Sequence, residues 1–302
     1  MRKREMKKPS IAAIGFFDGV HLGHRYLIEQ VKEEAAAKGL SSALVTFPVH
    51  PRKVMDAGYK PELLTSYGEK IGLLGAMGVD HSFVLDFTAG LSHLTAYDFM
   101  RSILRERYTI HGLVIGHDHR FGYNRTEGFE DYRLYGKELG IEVVRAHARV
   151  MNGVTISSSV IRRLLHSGDV ALAATYLGYE YFLEGIVIDG YKVGRTMGFP
   201  TANLRPADPD KLVPADGVYA VRVTVNDTVY AGMMNIGRRP TLNNGCNRSI
   251  EVHLLHFHAD IYDCPVRISF VERIRSEMKF ACKEQLTEQL SEDALAVSKR
   301  LL

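Results

Sequence analysis

The chain has 302 residues, 46% hydrophobic and 24% charged, the balance of an ordinary globular protein with room for two domains. Its formal charge is +3, and Arg2, Lys3, Arg4, Lys7 and Lys8 against Glu5 account for all of it, so no chain-wide basic footprint for nucleic acid is present. Cys246, Cys264 and Cys282 have no CxxC spacing, no apolar run reaches membrane-spanning length, and the basic start leads into a strand rather than a signal peptide; the expectation is a cytoplasmic protein without nucleic-acid or membrane partners, its oligomeric state open.

Up to about residue 145, short apolar runs alternate with helical spacing. Residues 11–17, 43–47, 81–85, 113–115 and 142–144 read as buried strands, and 22–37, 69–77, 96–107 and 129–139 as helices. Such alternation predicts an α/β domain, a parallel sheet covered on both faces with its ligands at the carboxyl ends of the strands. Past Gly178 the pattern changes. Residues 181–188, 217–225, 228–235, 249–257 and 266–271 read as strands with no helices between them, and Asn226-Asp227 marks a tight hairpin. This half is predicted to be all-β, an antiparallel sheet or small closed barrel, with a terminal helix over 283–302 packed across it. The boundary is expected near residues 178–184, giving domains 1–180 and 181–302.

Two segments carry phosphate chemistry. In the first, Asp18-Gly19-Val20-His21-Leu22-Gly23-His24 stands where the first strand passes into the first helix. Two histidines three apart share one face of a first helical turn, where free N–H groups and the helix dipole favour an anion. Gly23 removes a side chain where a nucleotide approaches. Two histidines alone fit an ordinary turn equally well, and zinc lacks a third ligand nearby in sequence. Downstream, Ile156-Ser157-Ser158-Ser159-Val160-Ile161-Arg162 opens another helix with hydroxyls, N–H groups and an arginine one turn on, a second anion clamp; simple N-capping accounts for one of those serines.

The HxGH element with the later ISSxxIR helix start resembles the HxGH nucleotidyltransferase superfamily. More narrowly, the chain resembles the bacterial bifunctional riboflavin kinase/FMN adenylyltransferases (FAD synthetases). The likeness runs from Ile11 to the last helix and includes Thr46-Phe47 with His50-Pro51, Leu64-Thr65 before a helix, and Arg120-Phe121-Gly122. It implies a Rossmann-like N-terminal domain that transfers AMP from ATP to FMN. His21, His24, Ser158 and Arg162 would hold the triphosphate and stabilise charge developing in transfer, with Gly15, Phe17, Gly23 and Ser157 around ATP. No covalent nucleophile is expected, so positioning and electrostatics carry the catalysis. The segment from Gly116 to Asn124 follows the fourth predicted strand and resembles the family's flavin-lining loop, which makes His117, Asp118, Arg120, Phe121 and Asn124 flavin contacts. His119 stands where the family commonly has Phe, and Phe16 where Asn is common.

The second segment is Gly190-Tyr191-Lys192-Val193-Gly194-Arg195-Thr196-Met197-Gly198-Phe199-Pro200-Thr201-Ala202-Asn203. It lacks the Gly-Lys-Ser/Thr of a Walker loop, and Phe199-Pro200 stops any helix. Glycine-rich backbone approaches phosphate without Cβ clash. Thr201 and Asn203 face one way on a strand and offer hard oxygen ligands suited to Mg²⁺; strand-edge hydrogen bonding is the alternative. Glu251 lies opposite the apolar face of Ile250, Val252 and Leu254, and by itself reads as a solvated charge. The resemblance implies a kinase domain in which Gly190, Lys192, Gly194, Arg195 and Thr196 surround ATP, Thr201 and Asn203 hold Mg²⁺, and Glu251 accepts the proton of the riboflavin 5′-hydroxyl. A carboxylate of pKa about 4.3 is a weak base, tolerable where the proton leaves late in a loose phosphoryl transfer. Arg275 and Glu277 match a segment near the flavin, and Asn235 to Thr241 matches a family loop, with Leu242 where Phe is common. His253 and His256 face opposite ways on a strand, so the histidines 253, 256 and 258 read as surface or core residues rather than a zinc site. A monofunctional nucleotidyltransferase whose barrel only binds substrate, and a flavin-binding regulatory or nucleic-acid-binding protein that kept the fold, are the rival readings.

Overall fold

The computed structural model describes residues 8–56, 58–116, 119–189, 197–239 and 247–302. The chain divides into two compact units, Met1–Ser158 and Ser159–Leu302.

The first unit runs β1 (Ser10–Ile14), α1 (Leu22–Ala37), β2 (Ser41–Thr46), α2 (Pro51–Met55), α3 (Tyr67–Gly75), β3 (His81–Val84), α4 (Ala89–Ser92), α5 (Ala96–Asp98), a π-helix (Phe99–Arg107), β4 (Ile110–Ile115), a 3₁₀ turn (Tyr123–Arg125), α6 (Phe129–Leu139), β5 (Glu142–Arg145) and a small hairpin of β6 (Val150–Met151) and β7 (Val154–Thr155). The five main strands form a parallel sheet in the order β3-β2-β1-β4-β5. Alternate residues of β1 feed opposite faces: Ile11 and Ala13 pack with Ile28, Val31 and Leu74 of α1 and α3, while Ala12 and Ile14 pack with Met100 and Leu104 of the π-helix and Tyr132 of α6. The chain turns opposite ways after β1 and after β4, so the crevice for a ligand opens at the carboxyl ends of those two strands.

Local chemistry sets the element ends. Strand β1 stops at Ile14 rather than at residue 17 because Phe17 and Val20 take positive φ, 55° and 37°, on either side of Gly19. Helix α3 starts earlier than periodicity indicates because Ser66 and Glu69 close a capping box. The predicted helix over 96–107 is a single α-turn running into a π-helix. The wider π turn brings Phe99, Met100 and Leu104 onto one buried stripe.

The second unit holds nearly all of α7 (Ser158–Ser167), then α8 (Val170–Leu177) and a closed antiparallel barrel of β8 (Phe182–Ile188), β9 (Ala202–Pro206), β10 (Gly217–Val225), β11 (Thr228–Arg239), β12 (Asn247–Leu254) and β13 (Pro265–Arg275), followed by α9 (Lys283–Leu301). The strand order is β10-β11-β12-β9-β8-β13. Asn226 and Asp227, both at positive φ, join β10 to β11 as the predicted hairpin. Tyr219, Val221, Ile250, Val252 and Phe270 are buried, while Val218, Ala220 and Met233 pack with Val297 and Leu290 of α9. Helix α9 therefore covers one outer side of the barrel, and that side carries the second site.

Candidate active sites

In the first unit the loop from Gly15 to Val20 is pinned from several directions. Gly15 N–H donates to Val45 O at 3.0 Å, extending the β1–β2 ladder by one residue. The buried Asp18 carboxylate accepts from Leu64 N–H and Thr65 N–H, each at 3.0 Å, and from the Thr65 hydroxyl at 3.2 Å; Gly19 N–H donates to Thr65 Oγ1 at 3.0 Å. Ser158 Oγ donates to Asp18 O at 3.0 Å. A positive φ at Phe17 and Val20 costs on the order of 1–3 kcal/mol each. These ties hold the loop in that conformation against the strain.

His21 caps α1: its Nδ1 accepts from His24 N–H at 3.2 Å. An accepting Nδ1 places the ring proton on Nε2, so the cap selects the tautomer. The His21 and His24 rings stack at 3.6 Å, 15° apart, and the Phe17 ring meets His24 edge-on at 5.3 Å. Burial, followed by the His21, His119 and Lys70 charges, holds His24 well below the ordinary imidazole value. His24 Nδ1 is buried with no hydrogen-bond partner. The ring is neutral at pH 7. At Gly23, an added Cβ would lie 2.9 Å from Ile156 O and 3.1 Å from the His21 ring. The close approach that calls for glycine here is therefore between α1 and the segment before α7.

His119, at the start of the loop after β4, has Nε2 buried without a partner, and burial and Arg125 push it down to about 4. Phe121 stacks on Tyr132 at 4.2 Å, and its backbone is tied by the Tyr132 hydroxyl, so this ring belongs to the core wall of the loop. Arg120 is exposed. His117, Asp118 and the Asn124 side chain lie outside the described residues. Ser157 and Ser158 stand at the opening of α7 and Arg162 one turn along it.

Sequence reasoning passed over Lys70. It is 1% exposed, donates to Phe47 O at 2.7 Å and lies 3.6 Å from the centre of the Phe16 ring. Its helical position carries no signal, since a lysine four residues past the Ser66 cap reads as solvated.

In the second unit, barrel closure brings together residues some fifty apart. Asn203 of β9 is the register partner of Glu251 on β12, and Glu251 is that of Asn235 on β11. Thr201 Oγ1 donates to Glu251 Oε2 at 3.2 Å. Glu251 and His253 point to one side of β12, away from buried Ile250, Val252 and Leu254. His253 Nδ1 sits 2.8 Å from Pro200 O, which accepts only, so His253 donates and fixes the segment before Thr201. That role was not read from the sequence, although its period-2 spacing from Glu251 was visible.

Two cavities meet at Thr201. One, about 340 Å³, lies between barrel and α9 and is lined by Phe199, Thr201, Asn235, Glu251, Arg275 and Phe280 among others. The other, about 410 Å³, is lined by Pro200, Thr201, Leu254, Phe257, His258 and Tyr262 among others. Both are of small-ligand size. Arg275 makes a bidentate pair with Asp293 of α9, 2.7–3.0 Å, so its guanidinium anchors the helix at the cavity wall. The Glu277 carboxylate occupies the space a side chain at Gly237 would need. Gly190, Lys192, Gly194, Arg195 and Thr196 lie outside the described residues. Thr201 and Asn203 offer a hydroxyl and an amide carbonyl, oxygen donors of the kind Mg²⁺ takes.

The FAD synthetase family model matches residues 3–160 and the riboflavin kinase family model residues 177–301. The bifunctional riboflavin kinase/FMN adenylyltransferase of Bacillus subtilis is 38% identical over 304 residues, covering 96% of this chain and 92% of that protein. The protein of the same name from Escherichia coli K12 is 34% identical, covering 94% and 90%. A crystal structure named a macrolide-efflux protein, from Streptococcus pneumoniae, is 30% identical with a TM-score of 0.87, covering 96% and 94%. The efflux in that name is said of that protein; among the described residues of this chain no helix is long and apolar enough to cross a membrane.

Proposed function

We propose a division of labour between the two halves of this chain, which belongs to the bifunctional riboflavin kinase/FMN adenylyltransferase family. The protein phosphorylates riboflavin to FMN with ATP and adenylylates FMN to FAD, releasing pyrophosphate. The boundary near residue 180, the residue roles, the metal and the compartment are our reading.

In the adenylyl transfer, a phosphate oxygen of FMN attacks the α-phosphorus of ATP and pyrophosphate leaves. His21, whose cap leaves its proton on Nε2, and the stacked His24 ring offer ring nitrogens from a strained, pinned loop to the charge that develops on the phosphates. Ser157 and Ser158 contribute backbone N–H groups at the opening of α7. Arg162 adds a phosphate-holding charge, on the resemblance of its segment.

The kinase reading rests on one observation above all: Thr201, which lines both cavities, donates to Glu251 in the wall of the one under α9, and Asn203 is the register partner of Glu251. The cavity under α9, with its aromatic and methionine lining, takes the isoalloxazine, with Arg275 and Glu277 at its wall, and the other takes ATP. Glu251 accepts the proton as the riboflavin 5′-oxygen attacks the γ-phosphorus and ADP leaves. Mg²⁺, held with ATP by Thr201 and Asn203, would offset phosphate charge. A cytoplasmic location goes with two reactions that consume ATP and with cysteines of unpaired spacing.

The test is chromatographic separation of riboflavin, FMN and FAD after incubation with ATP and Mg²⁺. His24→Ala should lower FMN-to-FAD turnover on the order of 100-fold or more and spare FMN formation. Glu251→Ala should do the reverse. Loss of both products in either variant would argue for a single shared site.

A further inference from the structure

Lys70 is a buried cation that none of the chemistry above uses. It stands on α3, and its ammonium lies between the ends of two strands: the Phe47 carbonyl after β2 accepts from it at 2.7 Å, and the Phe16 ring after β1 lies 3.6 Å beneath it. It is 1% exposed, and among the described residues no carboxylate comes within ion-pairing distance. Asp18 is near enough to favour its charge, while His24 is near enough to feel that charge as an obstacle to its own protonation.

An ammonium with one hydrogen bond and one aromatic face is a costly thing to bury. An apolar side chain of similar length would fill the same space without that cost, so packing does not account for a lysine. What the charge does have is a place: it lies between the Phe47 carbonyl after β2 and the Phe16 ring of the loop after β1, the loop that borders the β1–β4 crevice, and its charge is felt at His24. A fixed positive charge in a low-dielectric pocket reaches further than one in water. The anions that enter this crevice are phosphates.

We propose that Lys70 is a positioning residue of the adenylyl-transfer site, a sealed positive charge that draws in and aligns phosphate-bearing substrate while bracing the Phe16 and Phe47 loops. The inference rests on the adenylyl-transfer reading of this site. Burial also pushes the ammonium down to about 8, so the charge is largely present at pH 7 and lost above pH 8. Adenylylation should therefore weaken above about pH 8 through KM rather than kcat, if the charge acts in binding.

Two substitutions separate charge from packing. Lys70→Met keeps the length and removes both charge and hydrogen bond; Lys70→Gln removes the charge and keeps an N–H for the Phe47 carbonyl. Both should raise KM by about tenfold in FMN adenylylation and abolish the fall above pH 8, with riboflavin phosphorylation unchanged. Titrating FMN at saturating ATP, then ATP at saturating FMN, identifies whether the monoester or the triphosphate feels the charge. Unchanged KM and an intact alkaline limb in both variants would overturn the proposal. So would full recovery in Lys70→Gln, which would reduce Lys70 to a hydrogen bond. Should either variant unfold, the alkaline limb of the unsubstituted enzyme decides: its absence near pH 8 sinks the idea. If the unsubstituted enzyme makes no FAD from FMN at all, it is the functional reading that fails, not the role of Lys70.

Discussion

His24 and His119 are neutral imidazoles held in dry surroundings, each with a buried ring nitrogen that has no partner. Such groups make stability depend on acid. An unfolded histidine takes up a proton near pH 6.5, whereas folded His119 does so only at about 4. Its contribution is thus complete above about pH 6.5 and is lost progressively as the pH falls towards 4, because the unfolded chain binds the proton first. His24 adds loss in the same direction. Replacing His119 with Phe removes one of these groups without emptying the space. Urea unfolding followed between pH 7 and pH 4 should show a smaller drop in midpoint for His119→Phe than for the unsubstituted chain; equal drops would mean that the ring is already solvated.

Among the elements, α9 has a buried polar anchor within an apolar contact. Leu290, Ala294 and Val297 pack on the barrel, and Asp293 between them is 2% exposed at its side chain, taking both arms of Arg275 and a bond from Gln289 at 3.1 Å. Breaking a buried pair from one side strands the other charge. Asp293→Ala should cost about 3 kcal/mol or more of barrel stability and loosen the cavity that α9 roofs. The observable is the urea midpoint of riboflavin kinase activity, which should fall while that of FMN adenylylation holds. Elements also mark the limit of pattern reading. The strands and helices of the first unit were visible in their apolar periods, as was the hairpin at Asn226-Asp227. The π-helix, the capped helix α8 and the short helix α2 were not, since each is set by packing or a cap rather than by a repeating pattern. The barrel strands were visible one at a time, with ends shifted where His256 at positive φ stops β12 and where β13 runs on to Arg275.

On the scale of the whole molecule, the chain divides into two compact units, each with its own hydrophobic core. If FMN leaves one site and enters the other through solvent, a mixture of His24→Ala and Glu251→Ala proteins will convert riboflavin to FAD, though neither does so alone. We expect that complementation, with a lag that shortens as protein concentration rises; no FAD from the mixture would require transfer within one molecule. The order of residues along the chain by itself determined the class of each half, the two phosphate segments and their likeness to one family, because periodicity, glycines and helix starts are local properties. Only the tertiary structure decided that Asn203 stands opposite Glu251, that the Ser158 hydroxyl and the Asp18 carboxylate are spent on holding the histidine loop, and that Lys70 is sealed beneath it. Those facts depend on strand order, barrel closure and burial, which arise from contacts between residues far apart in sequence.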